Sequence, residues 1–221
     1  MIVLEDNFQH KGLRKKLIEE IRKKGIQDES VLKAIQAVPR HWFLDSVFLQ
    51  HAYQDKAFPI DEGQTISQPY TVAFQTELLE IQSYQSVLEI GTGSAYQACV
   101  LAEMGAKVYT IEYNEILHRK AKRMIDILRY DRKIQCFLGD GSQGLKQFAP
   151  YDGILVTAGA PAVPESLLFQ LKIGGKLVIP VGNNDTQKMM RITRKEEKHF
   201  TQEEFDNFSF VPLLGKNGWK N

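Results

Sequence analysis

Residues 87–96 read VLEIGTGSAY, and no other stretch constrains the fold as tightly. Val87, Leu88 and Ile90 suit a buried parallel strand, while Gly91 and Gly93 let the backbone turn sharply and approach a ligand with no Cβ in between. A dinucleotide fingerprint needs glycine at its first, third and sixth positions. Counted from Gly91 the sixth residue is Tyr96, so the phosphate-binding form of the turn does not hold. Two acids accompany the turn: Glu89, two residues ahead of Gly91, and Glu112, at the end of the next apolar run, VYTIE. Glu112 lies 21 residues beyond Gly91 (112 minus 91), the distance at which the second strand of such a fold presents a carboxylate to the two hydroxyls of a ribose. The stretch therefore specifies an α/β domain that binds an adenosine.

The flanking sequence supports that architecture. After the glycine turn, strand and helix patterns alternate: 108–112, a helix over 114–130, a strand at 134–138, the turn GDGSQG, a strand at 152–157, a helix over 164–171 and a fifth strand at 174–182. Such alternation means parallel strands joined by right-handed helical crossovers. MMRITR and FSFVPL then read as strands, so the sheet is expected to finish in an antiparallel hairpin. Upstream, Leu13, Leu17 and Ile21 recur every four residues before Gly25, and Asp28 and Pro39 bracket a second helix carrying Val31, Leu32 and Ile35. Residues 64–69 form a polar loop, and Pro69 opens a third helix whose apolar stripe is Val72, Phe74, Leu78, Leu79 and Ile81. The expected organisation is an N-terminal helical cap with an active-site loop over 1–80, packed on a main domain over 81–221.

Composition narrows the function classes. No run approaches the ~18 consecutive apolar residues of a membrane span, and the N-terminus lacks the basic start and apolar centre of a signal peptide, so a cytoplasmic protein away from membranes is expected. Cys99 and Cys136 have no C-x-x-C spacing and read as small buried hydrophobes; the 5 histidines form no ligand pair at helical spacing, so no metal site is expected. A net charge of +1 offers no general attraction for a polyanion. Basic runs at 11–24 and 118–133 also carry Glu19, Glu20, Asp126 and Asp131, the pattern of solvated helix faces rather than of a nucleic-acid surface. In an open parallel sheet the ligand sits beyond the carboxyl ends of the strands, where Gly91, Gly93, Glu112, Asp140 and Thr157 should converge. On the residues alone, Glu89 could bind ligand or hold loop amides, and Asp140 could accept from an adenine amine or cap the next helix.

The stretch EIGTGSAYQACVLAEMGAKVYTIE resembles S-adenosylmethionine-dependent methyltransferases of the Rossmann-like class. Together with VPRHWF, GQTISQPY, TAGAPAVPESLLFQLKIGGKLVIPVG and FVPL, it looks like the protein-L-isoaspartate O-methyltransferases across residues 30–215. The resemblance implies a mostly parallel, twisted sheet of about seven strands with helices on both faces, an antiparallel C-terminal hairpin and a helical N-terminal cap. It implies S-adenosyl-L-methionine as cofactor, held by Gln64, Thr65, Ile66, Ser67, Glu89, Gly91, Gly93, Glu112, Asp140 and Gly141. Ser67 of the TIS motif is the implied catalytic residue, its hydroxyl read as orienting the substrate carboxylate or the cofactor rather than attacking; Ala160, Pro161, Val163, Pro164, Val211 and Pro212 are implied to line a peptide groove. The implied reaction is methyl transfer to the free α-carboxylate of an L-isoaspartyl residue in a damaged peptide or protein, by a monomer. A carboxylate with an ordinary pKa near 4 is already deprotonated, so no general base is needed. One departure stands out, Ala95 where the family usually has glycine.

Three other readings make different predictions. A nucleic-acid methyltransferase on the same fold would carry an acidic or amide residue, two prolines and an aromatic where this chain reads TAGAP. A non-catalytic adaptor would bind cofactor without turnover, and a nicotinamide oxidoreductase would need the glycine that Tyr96 replaces.

Overall fold

A computed structural model of the chain describes residues 4–219, so the expectations for the first three residues and the last two lie outside it. Helices α1 (Phe8–Lys23) and α2 (Glu29–Ala37) open the chain. Leu17 and Ile21 face inward from α1, and the Asp28 carboxylate caps α2 by accepting from the amides of Ser30 at 2.7 Å and Val31 at 3.4 Å. The polar loop is more ordered than its composition suggests. Strands β1 (Phe58–Pro59) and β2 (Thr65–Ile66) pair there as a small antiparallel hairpin, after which α3 (Pro69–Leu79) starts with proline in its first turn. In α3 the tightest burial falls on Val72, Ala73, Gln75, Thr76 and Leu79, while Phe74 is only partly covered.

The alternation then follows as expected: β3 (Ser86–Ile90), α4 (Tyr96–Glu103), β4 (Lys107–Glu112), α5 (Glu115–Ile127), β5 (Ile134–Leu138), β6 (Tyr151–Val156), α6 (Glu165–Leu168), β7 (Leu171–Gly182), β8 (Gln187–Arg194) and β9 (Phe200–Phe208). The seven long strands form one sheet in the order β5-β4-β3-β6-β7-β8-β9. Pairs from β5 through β7 are parallel, and β7-β8 and β8-β9 are antiparallel. The strand order reverses beside β3, which places the glycine turn at the sheet's topological switch point.

Two expectations are corrected. The helix over 164–171 shrinks to the four residues of α6, because Leu171 already pairs with Tyr151 as the start of a long, bulged β7. The last strand is the acid-rich segment FTQEEFDNF and not FSFVPL; Phe210 to Leu214 leave the sheet, and Pro212 bridges only to Gly159. Acids on this exposed edge strand disguise it in the sequence, and they also guard it against pairing with another chain.

Side-chain alternation divides the core between the two faces of the sheet. Val87 and Val108 join a cluster with Leu17, Val31, Leu79 and Val100, which runs unbroken from α1 and α2 through the sheet. Leu88, Ile90, Tyr109 and Ile111 point the other way, into a cluster with Leu167, Leu177 and Leu213 under α6 and the C-terminal tail.

Candidate active site

The glycine turn is held by its own backbone. The Gly91 amide donates to Ile111 O at 3.0 Å, and the Thr157 hydroxyl donates to Gly91 O at 2.7 Å. Gly91 sits at φ 95, where a side chain is strained, and a Cβ there would lie 2.5 Å from Thr157 Oγ1. Two turns later in the same loop, Ala95 adopts φ 71 and is fully buried. The glycine that the resemblance leads one to expect here would therefore answer a left-handed backbone, a conformational demand rather than a lack of room. Three effects of Ala95→Gly nearly cancel: relief of left-handed strain (~1–2 kcal/mol), a lost buried methyl (~0.8 kcal/mol) and added chain entropy (~0.5–1 kcal/mol). The variant should melt within about 3 °C of the parent; a shift in Tm beyond about 5 °C would show that one of the three dominates.

Beyond the turn, at the carboxyl ends of β3, β4 and β6, lies a cavity of about 220 Å³. Gln64, Thr65, Gly91, Gly93, Glu112 and Gly141, six of the residues implied to hold the cofactor, line it; Val211 and Pro212, expected at a peptide groove, line this cavity instead. Apolar walls come from Ile90, Ile111, Leu117, Leu213 and Leu214, and Thr157 is present as expected. The Glu112 carboxylate accepts the Gly93 amide on one oxygen at 2.8 Å and the Asn114 amide on the other at 3.0 Å. A carboxylate has about four acceptor sites, so one on each oxygen is left for a vicinal diol. A purine between aliphatic walls with its ribose on Glu112 is the ligand this donor and acceptor set fits.

A smaller pocket of about 30 Å³ continues from the cavity under the TIS segment, lined by Thr65, Ile66, Ser67, Gly91, Gly93 and Tyr96 among others. On its far side Ser67 also lines an open groove of about 630 Å³, with Ala57, Tyr70, Thr186 and residues 206–210. Ser67 thus stands in the wall between the smaller pocket and the groove, half-buried.

Other expected residues are placed elsewhere. Glu89 is fully buried and lines neither the cavity nor the groove: by alternation it points with Val87, away from the face on which Ile90 and Ile111 border the ligand space. It accepts from the Thr110 hydroxyl at 2.5 Å, Thr110 meets Thr92 at 2.6 Å, and the other Glu89 oxygen has no partner. Burial pushes its pKa up to about 8, assisted by the negative charge of Glu112. Asp140 is also committed internally. One oxygen accepts Ser142 N and Oγ at 2.9 and 2.7 Å, and the other accepts Gln143 Nε2 at 3.1 Å and Lys216 N at 2.8 Å. Burial would raise its pKa, but those four bonds outweigh it and hold the carboxyl below its ordinary value. All its acceptor sites are used, so Asp140 caps its own turn and ties down the C-terminal tail, leaving only Gly141 at the cavity. Ala160 is fully buried and bridged to Val181, Pro164 is buried, Val163 packs on the second core cluster, and Pro161 and Ala162 are exposed. That segment does not line the groove; residues 206–210 do, and the sequence reading missed them because β9 was hidden by its acids.

Neither cysteine is poised for chemistry. Cys99 is fully buried, and Cys136, although its sulfur is 3.4 Å from His118 Nδ1, has its thiol pushed up to about 12 by burial. The fold does bring two histidines together: His10 and His41 stack at 3.9 Å beside Asp6. The Asp6 carboxylate is already bridged by both Arg14 nitrogens, at 3.0 and 2.9 Å, and both His41 nitrogens have partners, Tyr53 and Glu5 O. Two lysines of the basic helix faces are paired with acids, Lys24 with Glu20 and Asp55 and Lys120 with Asp61.

The sequence profile of the protein-L-isoaspartate(D-aspartate) O-methyltransferase family matches residues 12–218. The protein-L-isoaspartate O-methyltransferase of Cytophaga hutchinsonii is 63% identical over 216 residues, covering 98% of this chain and 97% of that one. Among solved structures, one named protein-L-isoaspartate O-methyltransferase superposes with a TM-score of 0.83 at 30% identity, covering 92% of this chain and 66% of that chain. Another, from Plasmodium falciparum and in complex with S-adenosyl-L-homocysteine, superposes with a TM-score of 0.78 at 25% identity, covering 95% and 99%. With matches running almost from end to end, the chain belongs to the protein-L-isoaspartate(D-aspartate) O-methyltransferase family.

Proposed function

We infer that this chain is a protein repair enzyme that methylates the free α-carboxylate of L-isoaspartyl residues in peptides and proteins, with S-adenosyl-L-methionine as donor. The observation that carries the reading is the position of Ser67, which lines both the pocket joined to the Glu112 cavity and the open groove outside it. Gln64, Thr65, Gly91, Gly93, Glu112 and Gly141 are the residues that would hold the cofactor, with Ile66 and Ser67 at its methionine end. When bound, the cofactor supplies a methyl carbon on a positively charged sulfur, and the pair of the broken C–S bond stays with sulfur. A substrate carboxylate in the groove arrives ionised, so the protein has no proton to remove. Its part is to place that oxygen in line with the methyl carbon and to keep water out. The resulting ester closes to a succinimide, whose hydrolysis returns part of the damage to aspartate.

Among the described residues the Ser67 hydroxyl has no hydrogen-bond partner in the protein, which leaves it free to orient a carboxylate oxygen. Ser67→Ala is expected to lower kcat/KM about tenfold, the worth of one hydrogen bond to a charged group, with Tm unchanged because no internal bond is lost. Unaltered kinetics would remove Ser67 from the reaction. The reaction class is tested by the stability of the product: label from the methyl group should be released as volatile methanol in mild base if a carboxyl ester forms. Label that survives base treatment would indicate methylated nitrogen and contradict the assignment. The same reading has the enzyme acting in the cytoplasm as a monomer; no helix among the described residues is long and apolar enough to cross a membrane.

A further inference from the structure

The groove outside Ser67 carries one charge that the protein leaves unneutralised. Along β9, Glu203 accepts from Arg191 in a two-pronged pair at 2.8 Å, and Glu204 accepts from Lys188 at 3.1 Å. Asp206, next on the strand and in the groove wall, has no ion-pair partner among the described residues. Asp55, which does not itself line the groove, is paired with Lys24 at 2.5 Å and accepts from two groove residues, Tyr70 N at 2.7 Å and Gln68 Nε2 at 3.0 Å. Lys24, 6.0 Å from the Tyr70 ring, also pairs with Glu20, so its charge is already shared between two acids. Among the described residues no lysine or arginine lines the groove; apart from Asp206 its polar walls are neutral, such as Thr71, Asn207 and Ser209. Asp206 faces Tyr70: burial chiefly raises the Tyr70 phenol pKa, and the charge of Asp206 adds to it. Guarding an edge strand against pairing explains acids along β9, but Glu203 and Glu204 provide that while paired; it does not account for an unpaired acid inside a groove.

We propose that Asp206 sets the sequence context of the acceptor, favouring isoaspartyl sites flanked by lysine or arginine over sites flanked by glutamate or aspartate. This rests on the groove being the acceptor site. Asp206 is exposed, so each contact is of the size of a surface ion pair; replacing a flanking Lys by Glu converts attraction to repulsion, for a roughly threefold to tenfold difference at low ionic strength. The difference should fade in ~0.5 M salt as the screening length shortens.

The test uses three isoaspartyl peptides of equal length with Lys, Gln or Glu on both sides of the damaged residue, and kcat/KM measured at low and high salt for the parent, Asp206→Asn and Asp206→Lys. The expected order for the parent is Lys, then Gln, then Glu; Asp206→Asn should flatten it and Asp206→Lys invert it. Equal values for all three peptides with the parent enzyme, or an order that Asp206→Asn leaves intact, would overturn the role of Asp206 alone. No methylation of any peptide, with S-adenosyl-L-homocysteine still bound, would overturn the acceptor reading and this inference with it.

Discussion

Glu112→Ala is expected to weaken binding of S-adenosyl-L-homocysteine by about 2–4 kcal/mol, roughly 30- to 1,000-fold, from loss of charge-assisted bonds to the two ribose hydroxyls. The structure makes the loss larger than those two bonds alone, because the same carboxylate anchors the amides of Gly93 and Asn114 on either side of the cavity. Alanine would leave both amides unpaired, and the glycine turn and the start of α5 would no longer be referenced to each other. Glu112→Gln should be nearly as damaging. Both oxygens face a backbone N–H, so whichever way the glutamine amide is turned its NH2 meets another donor. Isothermal calorimetry measures this directly. Parent-like affinity in both variants would place the ribose elsewhere in the cavity.

The second large effect concerns Glu89 and pH. Its pKa lies at about 8 in the fold against an ordinary 4.5. The folded state therefore holds a proton between those values that the unfolded chain has released, so the stability tied to this group is fully present below about pH 4.5. That stability is lost as pH rises towards 8. The difference of 3.5 units (8 minus 4.5) corresponds to ~5 kcal/mol if the site stays rigid, and to a few kcal/mol once its surroundings relax. Glu89→Gln keeps the shape and a group that can accept from the Thr110 hydroxyl, and it removes the titration. Relative to the parent, the variant should gain roughly 5–10 °C in Tm between pH 5.5 and pH 8.5. A parallel pair of Tm–pH curves would mean that Glu89 does not change ionisation on folding. Because its carboxylate lies outside the cavity, Glu89→Gln should also bind S-adenosyl-L-homocysteine normally.

The case of Glu89 shows where sequence reasoning stops. A strand–turn–helix with glycines and a carboxylate on the next strand is a local pattern, and the structure brings Gly91, Gly93 and Glu112 to one cavity as that pattern requires. Whether an acid two residues before the turn faces ligand or core depends on strand parity, which the run VLEI does not disclose because apolar residues occupy both faces. Asp140 was equally ambiguous for a different reason: what saturates it is the backbone of Lys216, 76 residues away, a contact no local motif announces. The groove was the least legible feature. Proline-rich APAVP looked like a ligand-lining loop, yet Ala160 is stitched to Val181 inside the molecule, whereas one wall of the groove comes from the end of a strand whose charges resemble a solvated loop and from the residues just after it. Ala95 was visible as an anomaly in the sequence, and its cause, a left-handed φ, only in three dimensions.

The measurement closest to the centre of this account is methyl incorporation from labelled S-adenosyl-L-methionine into two peptides that differ only in carrying isoaspartate or aspartate at one position. The account predicts base-labile label in the isoaspartyl peptide and none above background in the aspartyl peptide. Equal labelling of both, or labelling of neither while S-adenosyl-L-homocysteine binds at the Glu112 cavity, would contradict it.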